Sequence, residues 1–113
     1  VKRRVIPGFC RSAVEAACMD VVRRRRLKRG DTHQVVEDLL AEHETLNKLM
    51  ALTLLDDGEK GSEVMRILNK KFGSWAGDVF KMVNSGAHEG HDGDLESLAK
   101  QSERLAHKLQ ELP

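Results

Sequence analysis

Apolar residues recur every three or four positions along most of the chain, which is the spacing of amphipathic helices. The first such segment runs from Pro7 or Gly8 to Arg29. Its apolar stripe consists of Cys10, Val14, Ala17 and Val21. Proline is tolerated in the first turn of a helix, and glycine commonly follows the last one. The pattern therefore predicts a long first helix that stops at Gly30.

Four shorter amphipathic segments follow the first one. We expect helices over about 31–42, 44–55 and 62–72, and a fifth helix from Trp75. Asp31 and Gln34 have the spacing of a capping box, and Ser62 is placed to cap the fourth helix. Core positions expected in the second helix are Val35, Val36, Leu39 and Leu40. The pattern leaves open whether the second and third segments are separate helices or one bent helix.

The last segment has the most regular pattern. Its apolar seam alternates spacings of three and four residues through Leu95, Leu98, Ser102, Leu105, Leu109 and Leu112. The preceding residues 88–94 contain two glycines and no apolar side chain, so they predict a loop with Asp94 as a helix cap. The fold class that follows is all-α, a compact bundle of five or six helices in one domain over residues 1–113.

Composition agrees with this fold class and excludes others. With 40% apolar and 33% charged residues in 113, the chain is typical of one soluble globular domain. It has three phenylalanines, one tryptophan and no tyrosine, which argues against a β-sandwich. No apolar run is long enough for a bilayer span or a signal peptide, so no membrane partner is expected. The chain begins at Val1, as expected of a domain excised from a larger protein, such as its C-terminal domain.

The two cysteines predict a reducing environment. Cys10 and Cys18 lie eight residues apart on the first predicted helix, so their Cα atoms are roughly 12 Å apart. That distance exceeds the reach of a disulfide. We therefore interpret both as buried thiols of a cytoplasmic protein.

Charge is distributed unevenly. Residues 1–30 carry ten lysines and arginines against two acidic residues, a net +8, whereas residues 31–113 carry nine against sixteen, a net −7. Six of the cations form a run at the end of the first helix: Arg23, Arg24, Arg25, Arg26, Lys28 and Arg29. This run could bind the phosphates of a nucleic acid. Alternatively, it pairs with the acidic remainder of the domain.

The segment His88–Asp94 contains side chains that bind divalent ions. A metal site would draw on His88, His91 and Asp92. The histidines lack the helical spacing of the HExxH motif, and no cysteine lies nearby. A polar loop between helices is the competing interpretation, and no metal or other cofactor is assigned.

Two short motifs carry a resemblance to a known family. Arg11 and Glu15 form Arg-x-x-x-Glu early in the chain, and Asn84 and His88 form Asn-x-x-x-His at the end of the fifth predicted helix. In this order the motifs resemble those of the HEPN family, compact α-helical bundles of bacterial toxin and phage-defence systems. The chain is also similar to C-terminal segments of RecF- and SMC-like ATPases.

The resemblance implies a ribonuclease site with one residue changed. In active HEPN ribonucleases an arginine and a histidine of two subunits assist attack of the ribose 2′-hydroxyl on the phosphate. Asn84 and His88 match that motif, but Val83 stands at the arginine position. Lys81 is the nearest cation, and a helix would point it about 200° away from Val83. The resemblance therefore implies a non-catalytic relative in which Arg11 and Glu15 form a structural polar pair.

Three functions remain in competition. The leading hypothesis is a protein-interaction or dimerisation domain that belongs to, or partners, a nucleic-acid-processing ATPase in defence or repair. The second is a metal-independent endoribonuclease that uses His88 and Asn84 with Lys81, or with a basic residue from Arg23–Arg29 of a partner copy. The third is a nucleic-acid-binding module that uses the basic run Arg23–Arg29. The chain has no Walker-type glycine loop, so any ATPase activity lies outside it.

Overall fold

The computed structural model of the chain describes residues 2–85 and 95–113, with side chains over 8–84 and 96–113. Those residues are helical and contain no strand. The helices are α1 (Lys2–Lys28), α2 (His33–Glu42), α3 (Leu46–Leu55), α4 (Val64–Phe72), α5 (Ser74–Ser85) and α6 (Leu95–Gln110). A 3-10 turn, Gly61–Glu63, precedes α4. The prediction of an all-α bundle of five or six helices is confirmed.

Helix α1 is the centre of the bundle. Its 27 residues extend roughly 40 Å at 1.5 Å per residue. Helices α6 and α3 make its largest contacts, and α4 and α5 pair with each other. Every one of the six helices contributes at least one of the largest fully buried side chains. These are Leu46, Met50, Leu52, Leu68, Leu105, Leu109, Val14, Val21, Val22, Val36, Val64 and Val83. One continuous core therefore holds the helices together.

The end of α1 was predicted correctly, but its start was not. The helix begins at Lys2, so Pro7 lies inside it rather than at its first turn. A proline removes one backbone N–H but has a φ compatible with a helix. At the other end Gly30 has φ +101°, its N–H donates to Leu27 O at 3.0 Å, and Asp31 N–H donates to Arg26 O at 3.1 Å. This pair of hydrogen bonds is the Schellman arrangement that ends helices at glycine.

The beginning of α2 differs from the prediction. Thr32, not Asp31, is the N-cap, and its hydroxyl accepts a hydrogen bond from Val35 N–H at 3.2 Å. Gln34 donates instead to Asp38, one turn further on, so no capping box forms. The shift places Val35 on the outer face, where it is exposed, whereas Val36 and Leu40 are buried. Hydrophobicity alone misassigned Val35, because α2 packs mainly against α1 and Val35 lies about 100° around the helix from the buried Val36.

Helices α2 and α3 are separate, which answers the question that the sequence left open. Thr45 caps α3 by accepting a hydrogen bond from Lys48 N–H at 3.2 Å. The predicted cap of α4 was wrong, because Ser62 lies inside the 3-10 turn and α4 has no side-chain cap bond. Gly73, at φ +115°, ends α4 as expected, and α5 begins at Ser74, one residue before Trp75.

The seam of α6 faces the core as predicted. Leu98, Ser102, Leu105 and Leu109 are buried, and Leu112 packs partly buried against the same core. The Ser102 hydroxyl has no hydrogen-bond partner there, although a buried hydroxyl usually has one. The proposed Asp94 cap lies outside the described residues.

Both cysteines are buried free thiols. The Cys18 sulfur lies 3.9 Å from the sulfur of Met50, and the Thr53 hydroxyl, which donates to Leu49 O at 2.8 Å, lies 3.4 Å from the Cys18 carbonyl oxygen. Burial raises the pKa of Cys18 to about 12, so the thiol stays protonated at neutral pH. Cys18 therefore behaves as a small core residue.

Candidate functional site

The basic run at the end of α1 lies where three helices end. We call Arg23–Arg29 the arginine cluster. Its position follows from the length of α1, which carries these residues past the core to the C-terminal ends of α3 and α6. The last carbonyl groups of a helix lack partners within the helix and carry partial negative charge. The cluster is therefore placed to receive both acidic side chains and main-chain oxygens.

Three arginines of the cluster bind carboxylates of the same domain. Arg23 donates two hydrogen bonds to Glu37 on α2, at 2.9 and 3.0 Å. Arg26 and Arg29 each donate to one oxygen of Asp56 at 2.8 Å. Asp56 follows α3 with φ +60°, a conformation that aspartate tolerates better than most residues. These pairs attach the end of α1 to α2 and to the end of α3.

The other two arginines bind main-chain oxygens. Arg24 donates to Leu112 O at 2.6 Å and to Gln110 O at 3.2 Å, at the end of α6. Arg25 donates to Thr53 O in α3 at 3.0 Å and to Pro113 O at 3.1 Å. The planar guanidinium group, which has several fixed donors, can serve two acceptors on different helices at once.

The electrostatics of the cluster follow from this packing. Burial alone would raise the pKa of Asp56, but the hydrogen bond from Arg29 and the charges of Arg26, Arg29 and Arg25 hold it below its ordinary value. Partial burial lowers the pKa of Arg25, and the neighbouring arginines act in the same direction. An arginine remains protonated despite such a shift. Thus Asp56 offsets a local excess of positive charge.

The cluster is consequently occupied by contacts within the domain. All five arginines have carboxylate or carbonyl partners, and within the described ranges only Lys28 of the predicted run makes no ion pair or hydrogen bond. Beside it lies a groove of about 460 Å³ whose cationic lining residues are Arg25, Arg29 and Lys71. The pairing interpretation of the basic run therefore describes the observed contacts.

Helix α5 places the residues of the ribonuclease motif on different sides. Val83 is 2% exposed and belongs to the core. Lys81 and Asn84 are exposed. The predicted opposition of Lys81 and Val83 is thus observed. His88 lies outside the described residues, so the motif is described only up to Asn84.

The predicted Arg11–Glu15 pair forms on α1. Arg11 Nε lies 3.5 Å from Glu15 Oε2, with side-chain exposures of 40% and 25%. The contact is an ion pair within one helix, one turn apart. Because both side chains are partly exposed, it contributes little to stability.

The proposed metal ligands His88, His91 and Asp92 lie outside the described residues. Over 8–84 and 96–113, no three histidine, cysteine or acidic side chains are arranged to hold a metal ion. Within the same part of the chain, no helix combines the length and the apolar character that crossing a bilayer requires.

One surface feature was missed by the sequence reasoning. Phe9 is 71% exposed on α1, the highest value for a large apolar side chain in the described residues. Ser12, Ala13 and Ala16 on the same side of the helix are also exposed. The signal was available, because a helix whose buried stripe runs through Cys10 and Val14 must turn Phe9 and Ala13 away from it.

Comparison of the chain with protein-family models, curated proteins and solved structures gives no match.

Proposed function

We propose that the domain is a non-catalytic protein-interaction domain that self-associates, and that it serves a nucleic-acid-processing ATPase of a defence or repair system, as the HEPN resemblance implies. The observation that carries the proposal is the burial of Val83 in the core. The position at which an active relative would hold an arginine contributes packing here instead.

The chemistry of RNA cleavage explains why this position matters. Attack of a 2′-hydroxyl on a phosphate requires a fixed cation for the developing negative charge and a group that transfers protons near neutral pH. Val83 supplies no charge, and Lys81 lies on the exposed side of α5. A histidine at position 88 alone would lack the cation beside it.

The contacts of the arginine cluster argue against a role in binding nucleic acid. Phosphate binding relies on cations that can exchange their counterions for the backbone. Here the five arginines already have partners within the domain. Binding phosphates would require breaking contacts that hold helix ends together, which weakens the case for a nucleic-acid-binding module.

The proposal is tested with the full chain by sedimentation equilibrium over a wide range of protein concentration, and by incubation with a structured RNA. We expect reversible self-association and intact RNA. The matched pair His88→Ala and His107→Ala, the latter on the exposed side of α6, should behave alike in both assays. RNA cleavage that is lost only in His88→Ala would support the ribonuclease instead, whether or not the chain self-associates.

A further inference from the structure

A shallow groove lies along the outer side of α2, beside the end of α1. We call it the α2 groove. It has a volume of about 280 Å³ and is lined by Arg26, Asp31, Val35, Asp38, Leu39 and Glu42, whose side chains are all described. Pockets that enclose a whole small ligand usually measure roughly 300–1,000 Å³. The α2 groove is therefore suited to one or two side chains of a larger partner.

Two aliphatic side chains form the apolar part of the groove. Val35 is 54% exposed, and Leu39 is half-buried against the core. Helix α2 packs mainly against α1 and buries Val36 and Leu40 on that side. Val35 and Leu39 lie one helical turn apart and so share a face. An apolar pair with this spacing can receive the apolar stripe of another helix.

Carboxylates surround this apolar pair. Asp31, Asp38 and Glu42 line the groove, and Asp38 and Glu42 are exposed. Among the described residues none of the three makes an ion pair. Asp38 accepts a hydrogen bond at 2.9 Å from Gln34, whose amide is neutral. The negative charge of these groups is consequently available to a partner.

The cations of the chain leave the groove acidic. Arg26 is the one cation in its lining, and it donates to Asp56 at 2.8 Å. Residues 30–47 include five acidic residues and no lysine or arginine, although the whole chain has 19 of these cations. Of the five, Glu37 pairs with Arg23 on α1. The α2 groove thus combines exposed apolar surface with unpaired negative charge.

We infer that the α2 groove binds a basic amphipathic helix of a partner protein. Two apolar side chains of that helix, one turn apart, pack on Val35 and Leu39. Its lysines or arginines lie beside Asp31, Asp38 and Glu42. Complementary charge of this kind attracts a basic partner and disfavours an acidic one, including a nucleic acid. The inference rests on the proposed interaction role and names a surface and the chemistry of the partner.

The first test uses a fluorescein-labelled synthetic peptide of about four helical turns. Leucines form one face of the peptide and lysines form the other. Fluorescence anisotropy with the full chain should show saturable binding that weakens at least about fivefold when the salt concentration rises from about 0.05 to about 0.5 M. The same peptide with glutamate in place of every lysine is the control and should not bind. Equal binding of the two peptides would overturn the charge argument.

The second test locates the binding surface. Val35→Lys removes an apolar contact and introduces a charge like that of the peptide, so it should weaken binding at least about tenfold. Met65→Lys is the matched control, because Met65 is also an exposed apolar residue and lies on α4. It should change binding less than about twofold, and circular dichroism checks that both variants remain helical. Equal loss of binding in the two variants would exclude the α2 groove.

The third test separates the carboxylates of the groove from the net charge of the chain. Asp38→Asn and Glu42→Gln should each weaken binding about two- to threefold and reduce its dependence on salt. Glu103→Gln on the exposed side of α6 changes the net charge equally and should have no effect. If Glu103→Gln weakens binding as much as the other two, the peptide responds only to net charge and the inference fails.

Sedimentation equilibrium of the parent chain and Val35→Lys distinguishes this inference from the proposed self-association. If the parent chain self-associates but does not bind the basic peptide, the inference fails and the self-association stands. If the peptide binds as expected to a chain that is monomeric at every concentration, the self-association fails and the α2 groove stands. If Val35→Lys weakens self-association as strongly as peptide binding, the groove is occupied by a second copy and the inferred partner is wrong.

Discussion

The two ends of α1 contrast in how their surfaces are used. The C-terminal end holds six cations in seven residues, and its five arginines bind groups of the same domain. Over residues 8–16 the same helix exposes Phe9, Ser12, Ala13 and Ala16, which carry no charge, and Phe9 is 71% exposed. The highly charged end is occupied by contacts within the domain, whereas residues 8–16 include several exposed uncharged side chains.

This contrast shows that a run of charged residues in a sequence does not by itself provide side chains that are available to bind a partner, because contacts within the fold can occupy them. Helix ends collect unpaired carbonyl groups, and a guanidinium is well suited to satisfy them. In this domain α1 ends beside the C-terminal ends of α3 and α6, so its arginines are drawn into helix capping. Phe9, Ala13 and Ala16 have no group that could donate to such carbonyls, and their side chains are exposed.

The largest effect that tests this contrast comes from Arg25→Met. Methionine keeps an unbranched apolar stem but cannot donate to Thr53 O and Pro113 O. Thr53 is fully buried, and its main-chain carbonyl would lose the arginine as a hydrogen-bond partner. We expect the free energy of unfolding to fall by about 1–3 kcal/mol, as measured by urea titration of the helical circular dichroism signal.

Lys28→Met is the matched control for this substitution. Lys28 is exposed and makes no ion pair or hydrogen bond among the described residues. Its replacement should change the free energy of unfolding by less than about 0.5 kcal/mol. Equal effects of the two variants would show that the cluster is a solvated surface and that the contrast between the ends of α1 is wrong.

Asp56 should make a smaller contribution to the free energy of unfolding, and that contribution should depend on pH. Its pKa in the folded state lies below its ordinary value, so its ionisation stabilises the fold above the unfolded-state pKa of about 4. That contribution is lost as the pH falls through the lower folded-state pKa. Asp56→Asn should therefore cost about 1 kcal/mol at pH 7, and much less at pH 2.

The measurement compares urea unfolding midpoints of the parent chain and Asp56→Asn at both pH values. Asparagine also tolerates the left-handed backbone at this position, so the substitution removes the charge and one of the two acceptor oxygens without adding backbone strain. If the unfolding midpoints of the two proteins differ by the same amount at pH 7 and pH 2, then the effect of Asp56 does not depend on its negative charge.

The fold was largely predictable because helical periodicity is a local property. The seam of α6, the stop at Gly30 and the break at Gly73 follow from spacing and from glycine's backbone freedom. Cap positions were less predictable, since Asp31 and Thr32 are both good caps and the packing of α2 decides between them. The predicted burial of Val35 was wrong for the same reason, because the packing of α2 places Val36 in the core and leaves Val35 exposed.

The site was less predictable because it depends on distant contacts. Sequence spacing placed Lys81 and Val83 on opposite sides of α5, as observed. For the basic run, the sequence left two interpretations open: binding of phosphates, or pairing with the acidic remainder of the domain. It gave no basis for expecting main-chain acceptors at Gln110 and Leu112, more than 80 residues away. Which helix ends meet is a property of tertiary packing, which periodicity does not encode.

The smallest effect compares the same substitution at the two ends of α1. Gly8 lies within the helix and Gly30 follows it at φ +101°, and a Cβ atom would meet nothing within 4 Å at either position. Gly8→Ala should therefore raise the free energy of unfolding by about 0.5–1 kcal/mol, because alanine loses less backbone entropy in a helix. Gly30→Ala should lower it by about 1 kcal/mol, because an L-residue is strained in the left-handed region. Urea titrations at a concentration that keeps the chain monomeric measure both. If Gly8→Ala instead destabilises the monomer, the N-terminal half of α1 is packed against something within the chain, and its face is not open to a partner.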